Sequence, residues 1–474
     1  MSLYKQARFL PQRFRLVLSS FLQRPGLPFA NALPEDAIQK AFDDEDAGFA
    51  DDAEAVYTPA ITLWAFLSQV LFKDEQRSCV AAVVRVSALL IALERGPCSS
   101  NTGAYCRARS KLSETVLRRL TVDLASGCER QLDEAPLWHG RHVRIVDGTT
   151  VSMPDTLDNQ KAYPQAHTQK EGLGFPVARV VVLLSLATGM LTDMAMGPYT
   201  GKETGETALL RQLFDRFRPG DILLADRYFC SYFMIALLQE RGIDFVTRVH
   251  QLRTIDFRRG RRLGKGDHIV QWPRPQKPTW MAPQTYDRMP AFLEVREVHV
   301  RVGEPGFRAK SFVAVSTLTD EVAYPEDDIA DLYHCRWLVE LDIRAIKMTM
   351  GMDVLRCKTP EMVRREMWTC LLAYNLIRQT MLQAAHKTGV SPRALSFTVA
   401  VQTIAASWML IVLSDGTLAT RLIDAASGHL APHIVGNRPG RVEPRAVKRR
   451  PKPHNLLTKP RDQARAELLR EKPA

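Results

Sequence analysis

The chain has 474 residues, 46% hydrophobic and 24% charged, an ordinary globular balance with room for two to four structural units. Its eight cysteines are scattered without a CxxC pair, which argues against a zinc ribbon or a disulfide framework and suits a reducing cytosol. The net charge of +12 points to an anionic partner, and its uneven spread points to a long one.

Residues 1–56 read as a loosely ordered segment. The basic opening MSLYKQARFLPQRFR has no apolar run behind it, so no signal peptide is expected. A Pro/Gly break follows, and then residues 35–54, with nine Asp/Glu against one Lys. Residues 57–138 show helical periodicity in TLWAFLSQVL, CVAAVVRVSALLIALE and ETVLRRLTVDLASGCERQL, an all-α unit.

At RHVRIVDGTTVSMPD the period switches to two, with β character interrupted at Asp147-Gly148. ARVVVLLSLATGMLTDMAMG reads as a hairpin turning at Thr-Gly. Residues 202–217 read as a helix, GDILLAD as a short buried strand ending on Asp226, 231–242 as a helix and 243–249 as a strand. Residues 250–318 read as a separate β-rich insertion. Within it RTIDFRRGRRLGK holds six basic residues, among them Arg258, Arg259, Arg261 and Arg262.

The helix predicted next starts near Pro325, with Glu326, Asp327 and Asp328 on the positive end of its dipole, and stops at Gly351. It looks buried, yet it carries Tyr333, Arg336, Glu340 and Lys347 within one arc of about 60°. Such a stripe is either a surface ion pair at i,i+4 or a functional face. Residues 391–436 are helical. Their uncharged stretch Ala394–Leu413 carries Ser396, Thr398, Gln402, Thr403 and Ser407, which suits a buried helix better than a membrane span. The tail 437–474 holds twelve Lys/Arg and four Asp/Glu, including Lys448, Arg449 and Arg450.

Three strands followed by α/β alternation predict a mixed sheet with helices on both faces. Asp147 on the first strand, Asp226 at a later strand end and Glu340 on the returning helix can converge. Clustered carboxylates repel one another, and divalent cations resolve that repulsion. Two Mg²⁺ ions about 3.5–4 Å apart, with Mn²⁺ as a substitute, would serve an in-line displacement at phosphorus. Tyr333, Arg336 and Lys347 would then contact phosphate. GPYTGKETGE has a P-loop look, but its spacing is one residue short and no Ser/Thr follows Lys202, so no nucleotide cofactor is expected. HLAPH places two histidines at i,i+4, but Pro432 spoils the helix a metal pair would need.

The motifs DGTT, LLADRYF and Y-(2)-R-(3)-E-(6)-K resemble those of the insertion-sequence-4 family of DDE transposases. SNTGAYCRARSKL, NQKAYPQ, GFPVAR, LLAYNLIR and RRPKPHNLLTKPR extend the likeness over roughly residues 60–460. The resemblance implies an α/β RNase H-like mixed-sheet catalytic domain in two parts, 139–249 and 319–390, split by the 250–318 insertion. A helical DNA-binding domain at 57–138 and a helical, basic C-terminal region complete it. It implies Asp147, Asp226 and Glu340 as the catalytic, metal-holding triad, and Tyr333, Arg336 and Lys347 as phosphate contacts near the cut end. Element-end cleavage through a hairpin and joining to target DNA would follow, in a homodimer on double-stranded DNA and in a bacterial, nucleoid-associated setting. A nuclease without strand transfer and a non-catalytic repressor are the rival readings. Some members carry a base-flipping Trp in the insertion, where Trp272 and Trp280 lie.

Overall fold

A computed structural model describes residues 14–24, 26–45, 48–49, 55–301, 311–435 and 456–470. Lys448, Arg449 and Arg450 lie outside the described residues. The nine strands are β1 (Val143–Ser152), β2 (Val177–Ser185), β3 (Leu191–Pro198), β4 (Ile222–Ala225), β5 (Asp244–Arg248), β6 (Arg261–Gly264), β7 (Asp267–Pro273), β8 (Phe292–Arg301) and β9 (Ser311–Ser316). They form one sheet in the order β3-β2-β1-β4-β5-β9-β8-β7-β6. β1, β2 and β3 pair antiparallel, β4 and β5 continue parallel to β1, and β9 pairs antiparallel with β5. The mixed sheet with helices on both faces is the predicted architecture.

Three expectations about the sheet and its flanks change. β1 is not interrupted at Asp147-Gly148: both residues pair with β2, Asp147 opposite Val182 and Gly148 opposite Val181. The strands of 250–318 do not form a separate unit. β9 covers the edge that β5 would otherwise leave open, so the insertion prolongs the same sheet. Residues 202–217 do not make one helix but a helix Glu206–Arg211 and a 3₁₀ turn Phe214–Arg216.

The segment before residue 57 is also not loose where it is described. Helices Arg15–Ser20 and Glu35–Asp43 pack into the core. Phe21 is fully buried, edge-on to Trp408 with ring centroids 5.0 Å apart, and Ser20 Oγ accepts a hydrogen bond from Trp64 Nε1. Truncating a buried ring of this kind typically costs about 3–5 kcal/mol. Its partners stand as far as 359 residues away, at Thr380, where no local pattern can reveal them.

Alternation along the strands divides the interior in two. Val143, Ile145, Val180, Val182, Ile222, Leu224 and Val246 share one core with the helices Pro59–Leu71, Glu114–Arg130, Pro360–Thr388 and Phe397–Leu413. Ile329, Leu332, Val339 and Ile346 join that same core. Val146, Val181, Leu223, Ala225 and Phe245 face a second core with Leu209, Leu210 and the helix Tyr232–Gln239. Only one side of Phe397–Leu413 is buried, since Leu410 and Leu413 are exposed. No helix among the described residues is long and apolar enough to cross a membrane.

Candidate active site

Asp147 and Asp226 come together through strand register. β1 and β4 pair in parallel with Val143 beside Ile222 and Ile145 beside Leu224. The same offset of 79 residues sets Asp226 beside Asp147, just past the end of β4. Alternation turns both toward the core that holds the helical segment of residues 326–349. β4 stops there because Asp226 leaves the ladder: its Oδ1 accepts from Tyr228 N at 2.8 Å and opens the 3₁₀ turn Arg227–Phe229. The carboxylate singled out for chemistry by the sequence is thus also the cap of this turn.

Burial raises the Asp147 carboxyl to about 6, against the opposing pull of the Gly148 N–H and the Arg336 guanidinium, while Asp226 and Glu206 push it further up. Asp147 Oδ1 accepts from Gly148 N at 2.8 Å. An ionised side chain only about one-fifth exposed, with like charges beside it, is costly unless a positive group faces it, as Arg336 does at 3.7 Å.

The segment carrying the polar stripe is helical from Glu326, after Pro325, to Thr349, with Gly351 in the left-handed region at φ 69°. It is not one uniform α-helix. Glu326–His334 passes through a 3₁₀ turn Cys335–Trp337 into Leu338–Arg344, and Ala345–Thr349 is a π-turn, a feature found often at functional positions. Nor is it wholly buried: Trp337 is 50% and Met348 61% exposed.

Within that segment the four stripe residues part company. Tyr333 is buried against Phe312, with ring centroids 4.8 Å apart. Burial pushes its hydroxyl up to about 12, with Arg336 opposing and Asp226 assisting. Arg336 Nη1 lies 3.7 Å from Asp147 Oδ2, and its Nη2 donates to Glu340 Oε1 at 2.5 Å. Lys347 Nζ donates to Thr150 O at 2.9 Å and to Thr149 Oγ1 at 3.2 Å, which ties the π-turn to β1. The Glu340 side chain is 58% exposed. Among the described residues no three His, Cys, Asp or Glu side chains stand close enough to hold one ion.

The donor set nonetheless suits a hard divalent cation: carboxylate oxygens alone, two of them on neighbouring strands. Glu340 is held off by its pairing with Arg336 rather than by packing, and an exposed side chain changes rotamer at little cost.

The other basic residues are elsewhere. Arg258 and Arg259 are exposed and pair with Asp256, and Arg261 pairs with Glu321. Arg262 Nε donates to Gly264 O. Arg261 and Arg262 sit on β6, the far edge strand, six positions from β1 and so roughly 30 Å away. Trp272 is 3% exposed, its Nε1 donates to Glu297 at 2.9 Å and Arg253 covers its ring. Trp280 is half-buried, with Arg211 stacked 3.9 Å from its ring centre.

Two residues escaped sequence reading. Asp342, two positions from Glu340, is fully buried between Arg378 and Arg393. It anchors the stripe segment to the helix Pro360–Thr388, and nothing in its spacing marks it. Glu206 faces Gly148, so that a Cβ at residue 148 would lie 2.2 Å from its Cδ. Its only local signal is its place in GKETGE, within the stretch that has a P-loop look.

The transposase DDE domain family matches residues 138–376, half of the chain. The transposase InsG for insertion sequence element IS4 of Escherichia coli K12 is 31% identical over 62% of this chain and 64% of its own length. The chain thus spans just under two thirds of that relative. The putative transposase InsZ of the same organism is 28% identical over 30% of this chain and 46% of its own length. Among solved structures, a piggyBac transposase synaptic complex with hairpin DNA aligns over 91% of this chain and 87% of its own, at 12% identity and a TM-score of 0.41. At that score the likeness carries no weight.

Proposed function

The chain belongs to the transposase DDE domain family, where it is similar to the insertion-sequence-4 transposases, and from that premise we propose that it cleaves the ends of a DNA element and joins them to target DNA. One observation carries the reading: Asp147 and Asp226 lie side by side at the end of β4, on the face toward the segment that carries Glu340. The sheet order and the helices on both faces are consistent with an RNase H-like core.

Asp147, Asp226 and Glu340 would hold divalent ions, Mg²⁺ or Mn²⁺. When bound, the ions activate the attacking oxygen and stabilise the leaving one. The protein's own groups do the positioning. Arg336 faces Asp147 and pairs with Glu340. A phosphate of the element end offers the guanidinium a bidentate partner, so DNA arrival draws Arg336 away and frees Glu340 to turn toward Asp147. The Tyr333 hydroxyl, protonated at neutral pH as a phenol is, donates a hydrogen bond to phosphate. Lys347, fixed on β1 by Thr149 and Thr150, presents a point charge beside the strand. A freed 3′-OH held in this site can attack the opposite strand, displacing the 3′-oxygen of the flanking DNA and closing a hairpin; water then reopens the hairpin, and the regenerated 3′-OH joins target DNA by displacing a target 3′-oxygen, with two copies of the chain pairing the two ends.

The exposed basic residues Arg258, Arg259, Arg261 and Arg262 would bind flanking phosphates in a salt-dependent way, as would Lys448, Arg449 and Arg450. The test is incubation of the purified chain and Mg²⁺ with DNA bearing the element's ends. Nicked, hairpin and target-joined products are expected. Nicking without joined products would favour a nuclease, and binding without any cleavage would favour a repressor.

A further inference from the structure

Away from the candidate active site, a cavity of about 210 Å³ opens between the helix Pro59–Leu71, the helix Gly103–Arg109 and the segment that follows Gly351. Arg77, Arg109 and Arg356 line it against the single carboxylate of Glu366, so three positive charges less one negative leave two in excess. Glu366 is already engaged: it accepts from Arg77 Nη2 at 3.3 Å and from the backbone N–H groups of Arg356 and Cys357 at 2.9 Å. Arg109 makes no ion pair among the described residues. Its guanidinium sits 5.0 Å from the Phe66 ring centre, and its Nη1 donates to Gln69 Oε1 at 3.0 Å, an oxygen it shares with the Tyr105 hydroxyl. Its Nε is buried and has no acceptor among the described residues. The thiols of Cys106 and Cys357 and the Tyr105 hydroxyl lie nearby, but burial raises all three, so they stay neutral and supply no counter-charge.

We propose that this cavity is a binding site for a small oxyanion of the phosphate class, gripped by Arg109 and Arg356 and flanked by Arg77. A buried guanidinium N–H without an acceptor, beside excess positive charge, is destabilising until an anion supplies both an acceptor and a counter-charge. Guanidinium forks fit the oxygens of a phosphate in pairs. Arg356 completes the grip: its side chain is exposed and has no hydrogen-bond or ion-pair partner among the described residues, while its backbone N–H is fixed on Glu366. Burial and the nearby Arg356 charge both pull the Arg77 guanidinium down, against Glu366 and Asp353, as expected of like charges with no anion between them. Pairing with Glu366 accounts for Arg77 but for neither of the other two. The volume lies below the roughly 300–1,000 Å³ of sites that take drug-sized molecules, so an ion fits and a nucleotide does not. None of these groups belongs to the candidate active site, and the assignment does not depend on the chemistry proposed there. An anion held here bridges the N-terminal helices, through Arg109, to the turn that follows the stripe segment, through Arg356. A free phosphate ion and a backbone phosphate of DNA share this chemistry.

The test titrates the full chain, in phosphate-free buffer at constant ionic strength, with inorganic phosphate. Calorimetry gives the affinity and thermal melting a second readout. Saturable binding is expected, with a melting temperature that rises as the site fills. Arg109→Gln should bind phosphate about tenfold or more weakly, the worth of a charge-assisted hydrogen bond. Arg356→Gln changes an exposed side chain, so it should melt like the wild type without phosphate and yet also bind the ion more weakly. It decides the matter even where Arg109→Gln fails to fold. No saturable binding by the wild type, or wild-type affinity in either folded variant, overturns the site. Repeating the titration with saturating duplex DNA separates the two sources. Unchanged phosphate affinity assigns a free ion, whereas loss of phosphate binding together with weaker DNA binding by Arg356→Gln assigns a backbone phosphate, and both keep the site.

Discussion

Asp147 and Arg336 face each other across 3.7 Å, from a β-strand to a helical turn 189 residues later in the chain. The same guanidinium grips Glu340, so one cation links the first and last acidic positions of the candidate site. In this arrangement Arg336 offsets part of the acidic charge, and under the proposed function a DNA phosphate would compete for it.

Under the proposed function, Arg336 would act as a positioning group. Arg336→Ala should reduce hairpin formation by about 10- to 100-fold, the worth of a charge-assisted hydrogen bond, with a much smaller change in overall DNA affinity. Parallel binding and hairpin assays on one end substrate check this. Equal losses in both would remove the special role.

Asp147→Asn, Asp226→Asn and Glu340→Gln should each leave end binding measurable. Each should lower strand cleavage by about 10³-fold, or about 4 kcal/mol of transition-state stabilisation. A variant that still nicks at the wild-type rate would show that its residue is not a ligand.

The Asp147 carboxyl is raised to about 6 by burial, so the folded protein binds this proton more tightly than the unfolded chain does. Stability of the metal-free protein should therefore fall as pH rises between about 4 and 6, as far as this residue contributes. Asp147→Asn should melt higher than the wild type in EDTA at pH 8, and the gap should close near pH 4. Because the ion needs the ionised carboxylate, Mn²⁺ affinity should climb with pH and level off above about 6. Calorimetry in EDTA and Mn²⁺ titrations at several pH values measure the two effects.

Arg77 and Glu366 form an ion pair in which each side chain is only 4% exposed. Arg77 Nη1 also donates to Gly351 O at 2.7 Å, and Glu366 accepts from the backbone N–H groups of Arg356 and Cys357. The turn before the helix Cys79–Ala92 thereby holds the end of the stripe segment. Arg77→Met leaves Glu366 buried without its cation and should cost about 3–5 kcal/mol. Thermal denaturation should show it, and Arg77→Lys should recover only part, since an ammonium cannot fork.

Much of the candidate site can be read from local pattern alone. The strand ILLAD must bury its apolar run and so ends on its first polar residue, Asp226. The helix capped by Pro325 and closed by Gly351 carries Tyr333, Arg336, Glu340 and Lys347 at fixed local spacing. Such features are legible because period and capping act over a few residues. Contacts between distant parts of the chain fix the rest: the offset that sets Asp226 beside Asp147, the pairing of β9 with β5 that merges the insertion into the sheet, and the burial of Phe21 against Trp408. The meaning of Gly148 belongs there as well. In the sequence it reads as a turn, whereas in the fold it is the gap into which Glu206 reaches from the other face, since the space a side chain lacks matters only once a neighbour arrives to use it.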